Sequence, residues 1–411
     1  MGFGISRKTL TTKDLFVFII GLLSMIKMRF LGTFAVSEIL IFASYFFISK
    51  PFAFRKDKNI VRLMVLSFVW LLGVVVADLY NNTDTEDFLK GFFNVVFIIA
   101  LIPFVYWAVY DKPQRMMMYW LGVGISCVLG FYFQRMSELT EYDASVWLVY
   151  AYYPLFIAIA GWLYYKGRRI LGCIVIEAFS VWSLWNMSRN IFLCMTFAVA
   201  LILLIGEVNK TNVAAKYRAF RKRMPITLLS FVIVGLGIFT SYEYLAKNKY
   251  LGEYAYRKYI IQKNSEQGLA SGRADFFESV ALVYKNPIMG YGSYAKDQKK
   301  IINPYATDEG ATIKVGERMM LHGHSYLMGA WVYSGILGFI FWAVMIIYTL
   351  RFLYRGVFFE PSLIGINVML AFLMLWNMLF SPFADRLNFL FFIIIVILQT
   401  YRVQAYAGKK Y

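Results

Sequence analysis

Long apolar runs recur along the whole chain, and they constrain its fold more than any other feature. Twelve runs stand out, at roughly 15–27, 31–49, 60–80, 88–110, 116–134, 147–165, 170–187, 190–206, 225–245, 324–350, 361–380 and 387–402. Most approach the ~20 apolar residues needed to cross a hydrocarbon layer about 30 Å thick. There, backbone polar groups must be satisfied within the segment, and these uniform runs are too long for barrel strands. The expected fold is an all-α polytopic membrane protein with about twelve transmembrane helices, a single integral membrane domain over residues 1–411. The first run is short and the tenth long, so tilt or mismatch is expected at both. No small-residue cleavage site follows the first run, which is therefore expected to stay as a span.

The chain is 60% hydrophobic, beyond the roughly half-apolar composition of soluble domains. Its net charge of +18 suggests nucleic acid at first sight. The placement of the charge argues against that partner. With the N-terminus inside, the segments 1–14, 50–59, 111–115, 166–169, 207–224, 351–360 and 403–411 hold 22 Lys/Arg. The short outside loops 28–30, 81–87, 135–146, 188–189 and 381–386 hold four: Arg29, Arg135, Arg189 and Arg386. This is the positive-inside pattern, and it predicts cytoplasmic termini with 246–323 facing outward. Cys127, Cys173 and Cys194 all fall inside apolar runs and are expected as packing residues.

The outward segment is the one long polar stretch. Residues 246–322 carry 12 Lys/Arg and 8 Asp/Glu, an excess of +4 that suits an anionic ligand. Phe276, Phe277, Val280, Ala281 and Tyr284 recur at helical spacing within it, and Asn286-Pro287 and Gly290-Tyr291-Gly292 then end the helix. The expectation is a small helical cap on the outer face.

Both histidines of the chain, His322 and His324, lie where this segment meets the tenth run. Histidine exchanges protons near neutrality and suits a general base. The plainer alternative is an interfacial anchor. Two histidines without nearby carboxylate or thiolate spacing are a weak metal signal, and no metal is expected. Arg189 sits in the tight turn between the seventh and eighth runs, where a charge needs a partner, a ligand or a headgroup. Its planar fork grips phosphate in bidentate fashion. Arg273, in Ser271-Gly272-Arg273-Ala274-Asp275, begins the loop helix, where anions are favoured, although a salt bridge to Asp275 or Glu278 is the simpler reading. Arg257, Lys258 and Lys263 form a basic run flanked by tyrosines, suited to lipid headgroups or a ligand. Trp147, Tyr150, Tyr152 and Tyr153 read better as an interfacial belt than as sugar-stacking rings. Glu38, Asp78, Glu177 and Asp385 are boundary or embedded acids that either pair with arginines or relay protons.

Taken in order, these features resemble the O-antigen polymerase/O-antigen ligase superfamily of bacterial envelopes. The matching motifs are Ser188-Arg189, Ser271-Gly272-Arg273 followed by Asn286-Pro287-Ile288-Met289-Gly290-Tyr291-Gly292, and His324-Ser325-Tyr326-Leu327 followed by Gly335-Ile336-Leu337-Gly338. The family usually has Asn where this chain has Ser325. The resemblance implies a GT-C-like fold, with the large loop between helices nine and ten. It implies metal-independent, inverting glycosyl transfer from an undecaprenyl-diphosphate-linked oligosaccharide at the periplasmic face of the inner membrane, with no cofactor. Arg189, Arg273 and His324 would be catalytic. Arg257, Lys258, His322, Ser325 and Tyr326 would contact substrate. A chain-length regulator and the repeat-unit flippase would be partners. The pattern Leu31-Gly32 with Ser37-Glu38-Ile39-Leu40 is closer to the polymerases than to the ligases. A lipid-glycan flippase is the non-enzymatic rival. An ion-coupled transporter would show broken helices in two related halves, a pattern not read in the sequence.

Overall fold

In the computed structural model, the described residues are 10–29, 33–48, 53–135, 141–186, 188–206, 213–264, 274–296, 321, 325–358, 361–381, 383, 385 and 386–407. They are predominantly helical: α1 (Thr12–Leu23), α2 (Val36–Ser44), α3 (Lys58–Tyr80), α4 (Thr85–Val109), α5 (Arg115–Gly130), α6 (Glu141–Tyr165), α7 (Arg169–Trp185), α8 (Arg189–Ile205), α9 (Val213–Lys247), α10 (Glu253–Asn264), α11 (Ala274–Lys285), α12 (Tyr326–Tyr354), α13 (Ile364–Phe380) and α14 (Arg386–Ala407). A two-stranded antiparallel hairpin, β1 (Lys27–Arg29) and β2 (Thr33–Ala35), joins α1 to α2. Among the described residues, five helical segments are long and apolar enough to cross a membrane: Lys58–Tyr80, Thr85–Val109, Arg115–Phe133, Val146–Tyr165 and Tyr326–Tyr354.

The first two apolar runs differ from the sequence expectation. Thr11 caps α1 by accepting from the Asp14 backbone N–H, and α1 ends at Leu23. The next run is only a nine-residue helix, about 14 Å long and too short to span a bilayer. Hydropathy registers the apolar side chains of the hairpin but not its extended backbone. The ninth run is also changed, because its helix continues back to Val213 through the basic residues before it. Lys and Arg are good helix formers, so charge does not end the helix.

Close backbone contacts hold the bundle. Gly21 of α1 and Gly122 of α5 face each other so tightly that a Cβ on either would strike the opposite backbone. Small residues allow this approach where burial from water gives helices no reason to associate. Gly124 lets α5 meet Leu155 of α6, Gly161 lets α6 meet Ile366 of α13, and Gly172 lets α7 meet the Ala160 carbonyl. At the centre stands α14, buried on every side from Leu387 to Thr400. A helix apolar all round belongs in such a position. Two of its polar groups bond to neighbouring helices, with Asn388 accepting from the Tyr119 hydroxyl at 2.7 Å and Gln399 accepting from Asn367 at 3.1 Å.

One helix is broken. Ser334 (φ −124°, ψ 18°) and Gly335 (φ 62°, ψ −156°) interrupt α12 after its first two turns. The loop after α11 fills the break. Tyr291 and Gly292 donate their backbone N–H groups to the Val332 and Tyr333 carbonyls at 2.8 and 3.1 Å, and Ile336 donates to the Ile288 carbonyl at 3.0 Å. Gly290 sits against Gly335, where a Cβ would lie 2.6 Å from the Gly335 nitrogen. Thus two separated glycine motifs, 286–292 and 335–338, are one interlocked feature. The end of α3 clasps the same loop: Asn81 donates to the Gly290 carbonyl at 3.1 Å, and the Ser293 hydroxyl donates to Asp78 at 2.8 Å.

Candidate functional site

Segments predicted outward do meet at one end of the bundle. The hairpin, the first turns of α4, Tyr294, Phe383 and the start of α14 line a cavity of about 310 Å³. Arg386, at the start of α14, makes paired hydrogen bonds to Glu38 at 2.9 and 2.8 Å and a third to Asn94 at 2.9 Å. Glu38 also accepts from the Ala35 backbone N–H at 3.1 Å, so one carboxylate ties α14 to the hairpin and to the start of α2. Lys27 lies 3.4 Å from Asp385. Lys90 lies 2.6 Å from Glu86 and 3.5 Å from Asp87. Phe34, Phe93, Phe97, Phe383 and Tyr294 supply aromatic wall.

The four boundary acids have assigned partners. Glu38 pairs with Arg386, as the arginine-pairing alternative expects, whereas Asp385 lies beside a lysine, Lys27. Asp78 holds Ser293, and Glu177 accepts from Thr196 at 3.1 Å.

Among the predicted site residues, Arg189 opens α8, half-buried, beside Asn190, whose amide donates to the Tyr150 hydroxyl at 2.9 Å. The tyrosine of the expected belt thus braces the arginine turn. Ser325 and Tyr326 are buried, which alters their expected contact with substrate. The Ser325 hydroxyl accepts from the Met328 backbone N–H at 2.8 Å and caps α12. The Tyr326 ring meets Trp342 and Phe383, each at 4.9 Å between centroids. Both residues therefore position the start of α12. Through Phe383 that start adjoins the cavity wall. Arg257 is exposed on α10, 4.0 Å from Glu253, and Lys258 follows it on α10, with its side chain outside the described set. Residues His322, His324 and Arg273 lie outside the described residues. Among the described residues, no group of three His, Cys, Asp or Glu side chains comes together as a metal site.

The loop helix forms as its spacing predicts, over Ala274–Lys285, but buries a different face. Leu282 and Val283 pack with Phe276 against Met328 and Val332, and Ser279 is also buried, while Val280 and Tyr284 are exposed. Beyond that helix, the segment reaches into the break of α12, so it is more than a lid.

Of the residues around the cavity, the sequence marks Glu38 and Asp385 as boundary acids and Arg386 as an outside arginine, but gives no role to Lys27, Lys90, Asn94 or Asn388. A cation at each end of adjoining apolar runs was the available signal. No family model matches the chain, and no curated protein matches it either.

Proposed function

We propose that this chain is an O-antigen polymerase: a membrane glycosyltransferase that moves a growing glycan from its undecaprenyl-diphosphate carrier onto the next lipid-linked repeat unit. The observation that carries the reading is the interlock of residues 286–292 with the broken helix that follows His324. It joins two of the three motifs behind the resemblance into one structure at the end predicted to face outward.

In the proposed reaction, an acceptor sugar hydroxyl attacks the anomeric carbon of the donor from the face opposite the diphosphate. The new carbon–oxygen bond forms as the bond to phosphate breaks, inverting the centre. His324 takes the hydroxyl proton. Arg189 and Arg273 neutralise the charge gathering on the departing lipid diphosphate, the role a metal has in many soluble glycosyltransferases. The capping segment excludes water and so limits hydrolysis of the donor.

A lipopolysaccharide gel of a strain lacking the protein tests the reading. Core carrying a single repeat is expected. Core alone, with long glycan left on the carrier, would assign a ligase instead, and an unchanged ladder would sink both. Arg189→Ala and His324→Ala should reproduce the single-repeat phenotype while lipid-linked repeats still reach the outer leaflet. Repeats held on the cytoplasmic side would identify a flippase.

A further inference from the structure

The cations that line the cavity at the start of α14 are already paired. Three cations (Lys27, Lys90, Arg386) and two carboxylates (Glu38, Asp385) line it. Each of these cations lies within 4.0 Å of a carboxylate. An entering diphosphate would have to break these ion pairs. The polar groups left for a ligand are neutral donors. Asn94 gives its amide oxygen to Arg386, and Asn388 gives its own to Tyr119, which leaves each amide nitrogen as the hydrogen-bonding group for a guest. Such donors suit hydroxyl and acetamido oxygens. The rings of Phe34, Phe93 and Tyr294 line the cavity, and aromatic rings suit the C–H side of a pyranose. A volume of 310 Å³ is at the small end of the roughly 300–1,000 Å³ range of ligand pockets.

We propose that this cavity is the acceptor-sugar subsite, holding an uncharged, hydroxyl-bearing sugar of the incoming repeat unit apart from the lipid diphosphates. The assignment rests on the reading of the chain as a glycan transferase. Its location fits the chemistry, because Phe383 belongs both to the cavity wall and to the ring cluster around Tyr326, two residues after the proposed base His324.

Saturation-transfer NMR on the full-length protein in lipid nanodiscs decides the matter. The probes are methyl glycosides of a neutral hexose, an N-acetylhexosamine and a hexuronic acid, with inorganic pyrophosphate as competitor. A neutral glycoside should receive saturation, the hexuronate should not, and excess pyrophosphate should leave the signal unchanged. Asn94→Leu should bind about tenfold more weakly, the loss of roughly one hydrogen bond. Absence of any neutral-sugar signal, displacement by pyrophosphate, preference for the hexuronate, or wild-type binding by Asn94→Leu each overturns the assignment. If Asn94→Leu does not fold, the probe series on wild-type protein decides alone. The deletion-strain gel separates the two levels. A single-repeat phenotype with no sugar binding removes only the subsite, whereas an unchanged ladder removes the transferase reading.

Discussion

The Tyr45 hydroxyl stands where a helical hydrogen bond would otherwise form. It donates to the Ala100 carbonyl at 2.5 Å and accepts from the Phe104 backbone N–H at 3.2 Å, next to Pro103 within α4. Proline interrupts the ladder, and a tyrosine from α2 bridges it. Tyr45→Phe should therefore lower stability by about 1–2 kcal/mol, read as a drop in thermal midpoint in detergent, although the phenyl ring keeps its packing. At the opposite end, Lys13 and Arg115 both reach Asp111 at 2.7 Å. Burial raises the Asp111 carboxyl, but hydrogen bonds from Arg115 and Lys13 outweigh it and bring it down to about 2. A lowered carboxylate contributes stability that is complete above its ordinary value of 3.8 and disappears as the pH falls through about 2. The effect is small because half of the side chain is solvent-exposed. Asp111→Asn should flatten the fall in thermal midpoint across that acid window, and parallel curves for the two proteins would refute the assignment.

Among the elements, the break in α12 depends on glycine. Gly335 has φ 62° and ψ −156°, a region essentially reserved for glycine and costing other residues roughly 1–3 kcal/mol. A Cβ there would also strike the Ile288 carbonyl. Gly335→Ala should displace the 286–292 loop, speed proteolysis within it and abolish transfer. Gly130→Ala is the matched control, since its Cβ meets nothing within 4 Å, and it should leave proteolysis unchanged. The glycines of both motifs were visible in the sequence, but their contact was not, because the two lie more than forty residues apart. Long apolar helices were legible almost to their ends: the run read as 60–80 is Lys58–Tyr80, and that read as 88–110 is Thr85–Val109. Apolar length is enough to mark such helices. It does not mark the hairpin Lys27–Ala35, whose strands are three residues each, nor the buried face of α11, which its partner α12 selects.

For the molecule as a whole, the alternation of charged and uncharged loops predicts that Tyr284 and Lys166 lie on opposite sides of the membrane. An impermeant maleimide should label Tyr284→Cys in cells with a permeable outer layer, and Lys166→Cys only after lysis. Both positions are exposed, so reversed labelling would invert the topology. The cavity was not legible at this scale. Its walls come from residues 24–38, 90–97, 294 and 383–388, each of which alone resembles the end of a span. Only the central placement of α14 brings them together. The broken helix also bears on how the chain is made. Synthesis runs from the N-terminus, so the 286–292 loop, and α3 that clasps it, leave the ribosome before Val332 and Tyr333, whose carbonyls the loop satisfies. Backbone groups without partners are costly away from water. Chain order therefore places the partner of the break ahead of α12, and a permuted chain that supplied α12 first is expected to enter the membrane with the break unsealed.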